Sequence, residues 1–132
     1  MKKIIIILLC VCICACGMSK TWDIKSMNVS KKLQPPTNIS MNLIRQKNNV
    51  LTIEFKNNGN KTWTYGEGYL IQVLINDEWY DVPTEMVFIK VGYNLYPNET
   101  VTKTYDLTFY NSLPTGVYRI VVSDLDAQFI IE

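Results

Sequence analysis

Acidic side chains are the groups that the sequence clusters most closely. Asp77, Glu78, Asp81 and Glu85 fall within nine residues, and Asp124 and Asp126 stand two apart. Carboxylates gathered in this way can hold calcium, and a pair at about 5–9 Å can hydrolyse a glycoside. Neither chemistry is favoured. No stretch has the ligand spacing of an EF-hand loop, and carboxylates in a turn are ordinarily solvated. The chain also contains no histidine. That removes the commonest general base, the Ser-His-Asp and Cys-His arrangements, and nearly every familiar zinc or transition-metal site. The residues supply no catalytic set, metal site or cofactor site, and a non-enzymatic role is expected.

Cysteine is the other reactive type, and all four copies (Cys10, Cys12, Cys14 and Cys16) lie near the N-terminus. Lys2 and Lys3 precede twelve residues, Ile4 to Ala15, without a charge. As a helix these would span about 18 Å, short of the roughly 20 residues needed to cross a bilayer, so a signal-peptide core is expected. Ile13-Cys14-Ala15-Cys16 resembles a lipobox, with a branched apolar residue, a small residue before the cut and then cysteine. Cys10, Cys12 and Cys14 follow Leu9, Val11 and Ile13, none of them small. The resemblance implies cleavage between Ala15 and Cys16 and a diacylglycerol on the Cys16 thiol, where two acyl chains suffice for stable anchoring. An ordinary secretory signal cut near Ala15-Cys16 or Cys16-Gly17, giving a free secreted protein, is the alternative.

Cleavage would leave 117 residues, enough for one domain, with 11 basic and 12 acidic side chains. That interspersed balance gives no electrostatic case for nucleic acid. Cys16 would be the sole remaining cysteine, so no disulfide can form within the mature domain and its fold must rest on a hydrophobic core. The expected division is a signal peptide at 1–15, a lipidated N-terminus and flexible linker at 16–36, and a β domain at 37–132. The linker closes on Pro35-Pro36; its Trp22 is expected either at the membrane interface or packed on the domain.

Beyond Pro36 the chain reads as short strands separated by turn signals, the spacing of a sandwich. Ile39 to Leu43 alternates. Val50 to Lys56 places Leu51, Ile53 and Phe55 on one face and Thr52, Glu54 and Lys56 on the other, a half-buried strand by period. Asn57-Asn58-Gly59-Asn60 ends it with residues that tolerate positive φ. Thr62 to Tyr65 is extended, and Tyr69 to Ile75 is apolar on both faces except at Gln72. Asn76-Asp77 turns the chain into Glu78 to Val82, a hairpin. Met86 to Ile89 is a short apolar patch. Val101 to Phe109 alternates, with Val101, Tyr105, Leu107 and Phe109 inward; Val117 to Val122 and Ala127 to Ile131 complete about seven or eight strands, with no helix expected.

Leu113-Pro114-Thr115-Gly116-Val117-Tyr118 has the L-x-x-G-x-Y spacing of a tyrosine corner. Leu113 would close the core, Gly116 permit the turn, and the Tyr118 phenol satisfy a backbone group just upstream. This device belongs to Greek-key sandwiches generally and specifies fold rather than function.

From about Asn57 to Glu132 the chain resembles a bacterial Ig-like domain family common in small lipoproteins. The pieces that carry the resemblance are Tyr65-Gly66-Glu67, Glu78 to Pro83, Leu95-Tyr96-Pro97-Asn98-Glu99, Leu113 to Ile120 and the closing Ala127 to Glu132. It implies an immunoglobulin-like β-sandwich and supplies no catalytic residues. A looser likeness to bacterial proteinase-inhibitor sandwiches covers the same region.

Aromatic residues concentrate mid-chain. Trp63, Tyr65, Trp79 and Tyr80 are the candidate ligand surface, on which a sugar ring or peptide could stack; core packing and cross-strand pairing are the more ordinary use of such residues. Trp79 and Tyr80 alternate, so at most one of them can join a single platform. The function expected is a lipid-anchored, extracytoplasmic binding module contacting another envelope protein. Carbohydrate or cell-wall binding through the aromatics, and proteinase inhibition, are the alternatives.

Overall fold

The computed structural model describes residues 21–110 and 112–132; the lipobox, with Ala15 and Cys16, lies outside them. Among the described residues are nine strands: β1 (Ile39–Lys47), β2 (Val50–Asn57), β3 (Trp63–Gly66), β4 (Leu70–Ile75), β5 (Glu78–Asp81), β6 (Gly92–Leu95), β7 (Thr100–Asp106), β8 (Gly116–Val122) and β9 (Leu125–Ile131). Pairing is antiparallel throughout, in the orders β1-β2-β7 and β5-β4-β8-β9, with β3 and β6 forming a separate ribbon. The ninth strand is β6, which sequence reasoning left in the loop before Pro97.

Three two-residue turns set the hairpin registers. Asn48-Asn49, Asn76-Asp77 and Ser123-Asp124 all have positive φ at both positions, between 48° and 67°. That mirror-image turn matches the right-handed twist of the flanking strands, and Asn and Asp tolerate it without glycine.

The core lies between the two larger sheets and follows the period of two. Leu51, Ile53 and Phe55 of β2 are buried, as are Ile71 and Val73 of β4, Tyr118, Ile120 and Val122 of β8 and Phe129 of β9, none more than 3% exposed. Each such side chain contributes about 1.5–3 kcal/mol relative to exposure. Tyr118 donates its phenolic hydrogen bond to the Pro114 carbonyl, the geometry of a tyrosine corner. Leu113 packs half-buried against the core. Gly116 opens β8 opposite Ile131, and a Cβ there would meet the Tyr118 ring at an ordinary 3.7 Å.

The alternation of β7 is broken at its end. Asp106 Oδ1 accepts from Thr108 N at 2.9 Å and caps a 3-10 turn over Thr108–Tyr110. Tyr110 swings inward and Phe109 outward, 67% exposed, which corrects the inward placement expected from strict alternation. Lys103 takes a position on the core side, opposite Ile53, with its ammonium 3.8 Å from the Tyr93 ring centroid. A cation over an aromatic face is attracted by the ring quadrupole, and the Tyr93 hydroxyl in turn donates to Glu67.

Chain expected as free linker is docked from Trp22 onward. Trp22 packs against the core, Asp23 caps a 3-10 turn over Ile24–Ser26, and Met27 is buried. Val29 then bridges antiparallel to Tyr80. Ser30 N donates to Trp79 O and Asp81 N to Asn28 O, both at 2.9 Å. This strap covers the open edge of β5, whose unpaired backbone groups would otherwise template association.

Tyr69, Tyr105 and Tyr110 meet beside the core, with Tyr69 centroids 5.0 and 6.3 Å from the other two. Burial, reinforced by Tyr110 and Asp106, pushes the Tyr69 phenol up to about 12 from an ordinary 10.0, and burial raises Tyr105 further still. Raised folded-state values mean that stability carried by the neutral phenols is complete below pH about 10. It is lost as pH rises through about 12. Alkaline titration of phenolate absorbance should therefore show these tyrosines ionising late and together with loss of β circular dichroism.

Candidate outer-sheet binding face

One residue interrupts the apolar run of β4. Gln72 pairs across the sheet with Asp81 of β5 and Arg119 of β8, and all three belong to the outer face. Although outward, Gln72 is only 2% exposed, because its neighbours close over it. Its amide joins the other two: Arg119 Nε donates to Gln72 Oε1 at 2.6 Å, and Gln72 Nε2 donates to Asp81 Oδ1 at 3.0 Å. Ser30 Oγ of the strap donates to the same Asp81 oxygen at 2.8 Å. Asp126 of β9 lies 3.8 Å from Arg119 Nη1. A buried amide with both ends satisfied fixes the orientation of the groups around it.

Trp79 completes the row. The Arg119 guanidinium carbon sits 4.3 Å from the Trp79 ring centroid, a stacking geometry that arginine's flat, weakly hydrated head favours. Burial draws the Arg119 pKa down, while Asp126 and Asp81 oppose that shift. Beside this pair opens a groove of about 320 Å³, bordered by the strap at Val29, Lys31, Lys32 and Leu33 and by the β4–β5 turn at Asp77 and Glu78. The face is thus rigid underneath and polar, with one aromatic ring held by a cation.

The four aromatic candidates do not share a surface. Trp63 stacks on Tyr65 at 4.7 Å and 19°, and Tyr65 is buried against Phe55 and Tyr93, both with centroids at 5.4 Å. Burial and the nearby Glu67 raise the Tyr65 phenol. Both rings are therefore used in fastening the β3–β6 ribbon to β2. Tyr80 packs against the core while Trp79 lies opposite Leu74 on the outer face. Arg119, Gln72 and Ser30 are the participants that sequence reasoning missed. Gln72 carried a signal, as the single polar residue in an otherwise apolar strand; Ser30, 42 residues upstream, carried none.

Asp77 and Glu78 are exposed at their turn, and no group of three acidic side chains able to hold a metal gathers among the described residues. Nor is any helix among them long and apolar enough to cross a membrane.

A family model described as bacterial Ig-like domain matches residues 34–129. The chain belongs to that family. The match covers β1 to β8 and most of β9 but begins after Leu33, so the Asn28 to Ser30 segment that closes the β5 edge lies outside the matched region. Comparison with curated proteins and with solved structures finds no match.

Asp81→Ala is expected to unfasten the strap from the Ig-like domain. Gln72 would lose its acceptor and Ser30 its side-chain bond, at about 1–3 kcal/mol for a buried polar group left unsatisfied. Backbone amide hydrogen exchange should then accelerate at Ser30 and at position 81 before it does in β8.

Proposed function

We propose that this Ig-like domain is a lipid-anchored, non-catalytic module outside the membrane that binds another envelope protein through the outer face of β5-β4-β8-β9. The Trp79–Arg119 stack is the observation that carries the reading. Tryptophan and arginine dominate binding hot spots, and hot spots depend on side chains already held in place. Here Gln72 and Asp126 engage the arginine directly, and Asp81 holds Gln72 in turn. An Ig-like family assignment is consistent with an interaction role, and the lipobox-like Ile13 to Cys16 supports the anchor.

The binding test is affinity capture from native envelope extract with the immobilised mature domain and its Trp79→Ala and Arg119→Ala variants. One envelope protein retained by the wild type and lost from both variants is expected. Retention of wall polysaccharide instead, equally sensitive to Trp79→Ala, would replace the protein partner with a glycan. Equal retention by all three forms would remove this face from the function. For the anchor, labelled fatty acid should enter the protein in cells and fail to enter Cys16→Ser.

A further inference from the structure

The strap differs in charge from the domain it covers. Residues 17–36 carry Lys20, Lys25, Lys31 and Lys32 against the single acid Asp23, net +3, whereas residues 37–132 carry seven basic and eleven acidic side chains, net −4. Lys25, Lys31 and Lys32 are exposed, and none makes an ion pair among the described residues. The three lysines thus stand on one short segment, fixed to the β5 edge by the Asn28 and Ser30 backbone bonds, and unneutralised.

Their position relative to Cys16 is also bounded. Trp22 is already packed on the domain, so only residues 17–21 intervene, and these reach at most about 20 Å when fully extended. With a lipid on Cys16, the strap is the part of the described domain that is bound closest along the chain to the bilayer. A basic segment beside a lipid anchor gains about a fivefold preference for an anionic surface per lysine.

We propose that Lys25, Lys31 and Lys32 bind anionic phospholipid headgroups and so lay the β5 edge against the membrane surface. The proposal rests on the lipid-anchor reading above. Asp77 and Glu78 border the same groove as Lys31, Lys32 and Arg119 and oppose the attraction. Surface potential acts only within about a Debye length, so the attraction requires the short tether to Cys16 to hold the strap near the bilayer.

The test uses residues 16–132, which include the whole described fold and retain Cys16 as their sole cysteine. The thiol is coupled chemically to a maleimide-bearing lipid in vesicles, in a Trp63→Phe background. Quenching of Trp22 and Trp79 by headgroup-spin-labelled lipid reports the approach of the strap. Quenching should be stronger in phosphatidylcholine mixed with phosphatidylglycerol than in phosphatidylcholine alone, and should fall with added salt. Lys25→Gln/Lys31→Gln/Lys32→Gln should lower the bound-to-free ratio about a hundredfold, while Lys47→Gln/Lys56→Gln/Lys61→Gln leaves it in place. Asp77→Asn/Glu78→Gln should raise it. Equal quenching in both vesicle types, or no change in the strap variant, would overturn the proposal. Because this anchor is made chemically, its outcome is separate from fatty-acid labelling: absent labelling with lysine-dependent quenching would defeat the natural anchor and leave the surface interaction.

Discussion

Asn57→Leu is expected to cost the Ig-like domain about 3–4 kcal/mol of folding stability, because several buried partners lose their bonds at once. The Asn57 side chain is completely buried at the end of β2. Its Nδ2 donates to Lys61 O at 2.8 Å and Leu95 O at 2.9 Å, and its Oδ1 accepts from Gly59 N at 2.9 Å. Its backbone is engaged as well, donating to Glu99 O and accepting from Asn98 N. The side-chain amide thus ties β2 to the loop before β3 and the end of β6, while the backbone of the same residue ties it to the turn before β7. Leucine fills similar volume but strands two carbonyls and an N–H, which shape alone cannot repair. Asn57→Asp should be as damaging at neutral pH, since a carboxylate would face two carbonyl oxygens. It should recover partly in acid, where a protonated carboxyl can donate one bond. Chemical denaturation of the three forms at neutral and acid pH measures both effects. The fit at this corner is close: a Cβ on Gly59 would stand 3.2 Å from Asn38 Cβ and 3.3 Å from Asn57 Oδ1.

Phe55→Ala should be of similar size, about 3–5 kcal/mol for a fully buried phenylalanine. Its consequence is local before it is global. Phe55 lies 5.6 Å from the Trp63 centroid and 5.4 Å from that of Tyr65. Those rings hold the β3–β6 ribbon, and an isolated two-stranded ribbon is marginal in water. Removing Phe55 leaves a cavity on the side to which the ribbon is fastened, so the Trp63 indole should become wetter and its emission should shift red. That shift should precede the main unfolding transition, and a single transition with native Trp63 emission up to the midpoint would show the ribbon held by other contacts.

The Phe55 and Asn57 results separate what was legible from what was not. Leu51, Ile53 and Phe55 could be placed in the core because a strand with one apolar face has only one way to turn. Asn57 was read with Asn58-Gly59-Asn60 as chain that tolerates positive φ, yet Asn57, Asn58 and Asn60 all have ordinary backbone angles. Its role is to bond to Leu95, 38 residues away, a partner that no local pattern announces. Phe109 was misplaced for the complementary reason. Alternation holds only while the strand lasts, and the Asp106 cap on Thr108 ends it.

The same distinction runs through the candidate binding face. Sequence alone determined the all-β class, the Asn76-Asp77 hairpin and the opposition of Trp79 to Tyr80, because each depends on period two or on the local φ preference of a turn. Only the tertiary structure decided that Tyr65 is buried under the ribbon while Trp79 stacks on Arg119, or that a polar segment before Pro35 folds back along β5. Burial is a property of what packs on the opposite side. The strap, β5 and β8 meet through residues 30, 81, 72 and 119, and their pairing becomes visible only once chain closure has brought distant strands into one sheet.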